Sequence, residues 1–129
     1  MSKRGKNYAL AVLSLTLGGL LYILFRPNTY LAVFCSNIPV VSYMQSLLAD
    51  VHIPFFAYYF VDFLWGLSLC SGLIALHNPE IKGKIGCAAV ALAWGSLWEL
   101  LQRLDVVGGT GDWMDVFMYL LAAFVGLII

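Results

Sequence analysis

The chain has 129 residues, of which 62% are hydrophobic and 11% charged, with a mean hydropathy of +0.89. Seven Lys/Arg balance seven Asp/Glu, and the basic residues lie in short scattered groups, so the stripe of positive charge that nucleic acid requires is missing. Composition therefore argues against a water-soluble domain and for a bilayer as the solvent.

A hydrocarbon layer about 30 Å thick needs roughly 20 helical residues, about 17 at the least, with every backbone polar group paired internally. Four stretches meet this, over residues 8–25, 55–76, 85–101 and 113–129. They predict an all-α fold, a four-helix transmembrane bundle in one integral membrane domain. The first follows Lys3, Arg4 and Lys6, as a secretory signal would. Its run is long and no small-x-small cleavage site follows, so it is expected to stay as a helix. With the N-terminus cytoplasmic, Lys82 and Lys84 fall in a second cytoplasmic loop, leaving only Arg26 and Arg103 outside. Both termini then face the cytoplasm.

Between the first two spans, Val40, Met44, Leu47, Leu48 and Val51 share one helical stripe. Residues 39–52 are accordingly expected to form an extracytoplasmic amphipathic helix lying in the membrane interface, with Pro39 in its first turn; an irregular cap over the bundle is the alternative. Tyr8, Tyr22, Tyr30, Tyr43, Trp98 and Trp113 lie near span ends, where amphipathic rings settle at headgroup level. Ser14 with Gly18, and Gly66 with Cys70, form small-x-x-x-small pairs that allow close helix approach.

The same threading gathers Asp50, Asp62, Glu99, Asp105, Asp112 and Asp115 in the outer half and leaves Glu80 as the one cytoplasmic acid. A carboxylate at mid-span costs about 2.5 to 3.5 kcal/mol on insertion scales, so such groups face protein or water and find partners. Asp62 is the deepest, roughly 10 Å along the second span at 1.5 Å per residue. Glu99 and Gln102 share a face at the end of the third span, with Arg103 beside them. Across the turn Val107-Gly108-Gly109-Thr110-Gly111, Asp112 and Asp115 repeat the i, i+3 spacing. Asp112 suits a helix N-cap, and acids there complement the helix dipole. Asp115 continues into Tyr119, Ala122 and Gly126, a polar or small stripe that should pack on another helix.

Cys35, Cys70 and Cys87 form no C-x-x-C pair and no ligand spacing with His52 or His77, so packing is their expected role and neither a disulfide framework, a metal nor a cofactor is assigned. His77, before Asn78 and Pro79, reads as part of a helix C-terminus. No Ser-His-Asp set, nucleophile motif or phosphate loop is present. The residues point to three functions: a ligand site made of Asp62, Glu99, Gln102, Arg103, Asp112, Asp115 and Tyr119, with Arg103 pairing Asp115 or Glu99; a transporter or pore using Asp62 and Glu99 in a homo-oligomer; or proton exchange between two carboxylates and a membrane substrate.

Glu99 and Gln102, the glycine turn, and Asp115 through Gly126 resemble the signature of VanZ-like membrane proteins. In that family an E-x-x-Q pair ends one helix, and a loop with an Arg leads to D-x-x-x-N-x-x-G-x-x-x-G. Here Tyr119 stands in place of the Asn and Ala122 of the first glycine. Gly109 occupies the place of the loop Arg, and Arg103 follows Gln102 directly. Upstream, Asp50, His52 and residues 55–59 resemble the family's D-K-x-x-H-F-x-x-Y segment with altered spacing. The resemblance implies a multi-pass protein of the bacterial cytoplasmic membrane that acts in the cell envelope. It further implies a lipid-linked or glycopeptide-type ligand and an effect on antibiotic susceptibility, since the name-giving member is associated with teicoplanin resistance.

Overall fold

The computed structural model describes residues 1–26, 29–51, 59–78, 80–107 and 112–129. The chain is all-helical, with 84% of residues in helix and no strand among the described residues. Among the described residues six helices follow in order: α1 (Lys3–Phe25), α2 (Tyr30–Cys35), α3 (Pro39–Leu48), α4 (Val61–His77), α5 (Ile81–Arg103) and α6 (Trp113–Ile128).

Local chemistry sets the ends. Ser2 caps α1 by accepting from the Gly5 N–H at 3.0 Å, which satisfies one of the free donors of the first turn. Asn78 closes α4 in the left-handed conformation, φ 43° and ψ 52°, with its N–H on the Ile74 carbonyl at 2.8 Å. Asn tolerates this geometry better than most side chains. Asp112 caps α6 through its bond from the Met114 N–H.

α4 is the central helix, packed against α1, α5 and α6, while α5 and α6 also pair with each other. Ser68 Oγ donates to the Ala11 carbonyl at 2.8 Å and Arg4 Nε to the Ala75 carbonyl at 2.8 Å, which fixes the antiparallel register of α1 on α4. The small pairs lie at the interfaces as expected. Ser14 and Gly18 are buried, and a Cβ on Gly18 would stand 2.8 Å from the Trp65 ring. Gly66 faces Tyr119 and Ala122, and Gly126 faces the Cys70 thiol. Cys70, Ile74, Ala88, Ala91 and Ala123 fill the other end of the bundle. The cysteines are free, with Cys70 buried and Cys35 and Cys87 half-buried.

The segment between α1 and α4 differs from expectation. Its described residues 29–51 contain two helices, since α2 precedes α3, and α3 stops at Leu48 instead of running to residue 52. Both pack against α1, α3 near its C-terminal end. Gln45 Nε2 donates to the Ile23 carbonyl at 2.9 Å, taking up one of the carbonyls that a helix end leaves open. Val41, Gln45 and Leu48 are half-buried, whereas Val40, Met44, Leu47 and Val51 point outward. Of the predicted apolar stripe, Val40, Met44 and Leu47 are thus free surface of α3, whereas Leu48 turns partly inward.

Large apolar side chains cover the outside, among them Leu13 at 68%, Trp94 at 62% and Phe124 at 61% exposure, while Ala, Gly, Ser and carboxylates are buried. In a water-soluble domain this order is reversed. α1 and α5, each of 23 residues, are long and apolar enough to cross a membrane, and only 17% and 22% of their apolar windows are buried. They are not interior helices of a globule. α4 and α6 are apolar but shorter, with 17 and 16 residues; the expected start of the second span, residues 55–58, lies outside the described residues.

Gly95 lies under Tyr119, where a Cβ would come 2.5 to 2.7 Å from the ring. Gly95→Ala should destabilise the detergent-solubilised protein by about 1–3 kcal/mol through overpacking, read as a lower thermal midpoint. Gly86→Ala, with nothing within 4 Å, should leave the midpoint unchanged or raise it.

Candidate functional site

Three helices each deliver one carboxylate to the same place. Asp62 comes from the first turn of α4, Glu99 from near the C-terminal end of α5, and Asp115 from the first turn of α6. Their exposures are 7%, 4% and 8%, and an oxygen from each lies within 4.8 Å of the others. One turn deeper on α6, the Tyr119 ring fits between Gly66 and Gly95. Its hydroxyl donates to Asp62 Oδ1 at 3.4 Å, the long limit of a hydrogen bond. Any larger residue at Gly66 or Gly95 would displace that ring, so the glycines of α4 and α5 shape the floor of the site.

Asp112 connects this interior to the exposed rim. Its Oδ1 accepts from the Met114 N–H at 3.1 Å and its Oδ2 from the Tyr59 hydroxyl at 2.9 Å, while its own N–H donates to Glu99 Oε2 at 3.3 Å. The Met114 N–H, with the Tyr59 hydroxyl and the nearby Arg103 charge, holds the Asp112 carboxyl below its usual range.

A groove of about 300 Å³ opens between α5 and α6, lined by Ser96, Glu99, Leu100, Arg103, Asp112, Trp113 and Val116. Arg103 lies over the Trp113 ring at 4.3 Å from its centroid, a close cation–π contact. This differs from the expected pairing with Glu99 or Asp115: among the described residues, Arg103 forms no salt bridge. It sits one turn outward from Glu99 on α5, within reach of the tryptophan that opens α6. Gln102, also at this end of α5, is half-buried.

Comparison with family models, with curated proteins and with solved structures finds no match.

Of the residues expected at the site, Asp62, Glu99, Asp115 and Tyr119 converge in the interior, and Asp112 and Arg103 sit on the groove beside them. Tyr59, Ser96 and the stacking role of Trp113 were not foreseen. Trp113 is legible as an interfacial ring, but nothing in its neighbourhood names Arg103 as its partner, and Tyr59 meets Asp112 across 53 positions. His52 lies outside the described residues. The sequence assigns no metal because it offers no His/Cys spacing; the fold instead assembles an all-oxygen set, one ligand per helix, that could hold a hard cation such as Mg²⁺ or Ca²⁺. Three bare carboxylates this close and this buried repel strongly, so shared protons, a cation or a cationic group of a ligand must balance them.

Asp112→Ala removes an N-cap, and should cost about 1 kcal/mol, whereas Asp112→Asn retains a capping oxygen and should melt near the wild type. Thermal melts of both in detergent check this; equal losses would show that charge, not capping, is what α6 requires of residue 112.

Proposed function

We propose that this chain is an integral membrane protein that crosses the bilayer four times, with both termini cytoplasmic. Its polar site at the outer leaflet binds the headgroup of an amphiphilic envelope molecule, lipid-linked or glycopeptide-type. The observation that carries this reading is the convergence of Asp62, Glu99 and Asp115 beside a groove whose remaining wall is largely apolar. Ligand sites commonly combine such a few converging polar groups with an apolar wall. The outward apolar side chains and the two helices long enough to cross support the membrane setting. α3, packed on α1 with Val40, Met44 and Leu47 exposed, suits a membrane interface. The resemblance of residues 99–126 to the VanZ-like signature supports an envelope ligand and a link to antibiotic susceptibility.

A second reading, a cation or proton carrier, draws on the same carboxylates. Within one copy their surroundings favour binding over passage. Below Tyr119 the described interior is filled by Cys70, Ile74, Ala88, Ala91 and Ala123, so transport would need a path completed by an oligomer.

The test is retention of polar envelope lipid by the purified full-length protein, followed by native mass spectrometry after detergent washing. Wild type should retain bound lipid, and a Glu99→Gln/Asp115→Asn protein with an unchanged circular dichroism spectrum should retain several-fold less. Equal retention by both would end this reading.

A further inference from the structure

The geometry points to the chemical class of the ligand: we infer that the α5/α6 groove receives a zwitterionic lipid headgroup, its primary ammonium on Glu99 and its phosphate on Arg103. This rests on the outer-leaflet reading above and makes it specific.

The groove presents two opposite charges in order. Glu99 forms its buried inner wall and Arg103 its exposed mouth. The two are four residues apart on α5, about 6 Å along the helix axis. A headgroup with a short chain between phosphate and amine places its own charges on that scale. An anionic headgroup would satisfy Arg103 but confront Glu99 and the other two carboxylates within 4.8 Å. A purely cationic ligand would balance the acids but meet the positive charge of Arg103 at the groove mouth. Only a ligand with both charges suits the two ends.

Orientation follows from the contacts already made. The Trp113 ring lies against the Arg103 guanidinium, 4.3 Å from Cζ to the ring centroid, and the guanidinium N–H groups can meet phosphate oxygens in the bidentate manner that suits this side chain. At the inner end, the Asp112 oxygens already accept the Met114 N–H and the Tyr59 hydroxyl. Glu99 accepts one backbone N–H, from Asp112, and otherwise faces Asp115 and Asp62. An ammonium brings three N–H donors and a positive charge to that group, which a trimethylated amine lacking N–H cannot match. Leu100 and Trp113, exposed by 51% and 71%, and Val116 offer apolar surface to the glycerol and upper acyl chain. This apolar wall commits the site to a lipid instead of a free phosphoamine.

The experiment titrates phosphatidylethanolamine, phosphatidylglycerol and phosphatidylcholine of matched acyl chains into the delipidated full-length protein in detergent, read by native mass spectrometry. Wild type should prefer phosphatidylethanolamine to each of the others by about tenfold, the worth of one charge-assisted contact. Arg103→Gln should weaken all three phospholipids, because all carry the phosphate. Glu99→Gln should remove the preference for the ethanolamine headgroup while leaving phosphatidylglycerol binding unchanged or stronger. Leu76→Ala, an exposed change at the far end of α4, should alter nothing. If phosphatidylglycerol binds as well as phosphatidylethanolamine, or Glu99→Gln leaves the preference intact, the ammonium assignment is wrong although a lipid site survives. If none of the lipids binds, the outer-leaflet reading fails as well.

Discussion

Mutual repulsion of three buried carboxylates is the constraint around which the rest of the molecule is arranged. Asp62, Glu99 and Asp115 come from three different helices, so the bundle cannot close without bringing like charges together. Burial removes the water that would screen them. What holds them in place is packing from below, by the Tyr119 ring in its glycine seat, and hydrogen bonding from above, by the Asp112 backbone. A protein with no use for this arrangement would be more stable with apolar side chains at these positions. Buried acids that a fold has to work to accommodate are therefore functional candidates in their own right.

The rest of the packing is consistent with an apolar solvent. Where lipid surrounds a bundle, burying a leucine gains little, and helices associate instead through close backbone approach and interhelical polar contacts. The interior here follows that pattern: Gly18 beneath Trp65, Gly66 against Ala122 and Gly126 on Cys70, with Ser68 and Arg4 bonding across α1 and α4. Leu13, Trp94, Phe117 and Phe124 are among the large side chains left to the outside.

Much of this was legible in the residues. Long uncharged runs gave the helices, and small residues at four-residue spacing gave the contact faces of α1, α4 and α6. The i, i+3 acids and the polar stripe of α6 marked Asp115 and Tyr119 as inward-facing. Periodicity along one helix says which side chains share a face, but not which face of another helix they meet. That is why the triad could be listed but its closure could not be known, and why Arg103 was expected on a carboxylate instead of an aromatic ring. Charge complementarity suggests ion pairs, and the indole that opens the next helix competes with them for the guanidinium. The split of residues 29–51 into α2 and α3 escaped for a different reason: α2 is a six-residue helix, too short for its apolar pattern to declare a period.

The seat of Tyr119 has a mechanical implication. A ring lodged at Gly95 acts as a key between α5 and α6, because Ala91 and Glu99, one turn away on the same buried face of α5, carry side chains that the slot cannot pass. Axial sliding of one helix past the other, even by a single 1.5 Å step, is blocked. Any motion that widens the groove must be a splaying of the two helix ends about that aromatic pivot, which would move Arg103 and Glu99 outward together while leaving the lower bundle closed.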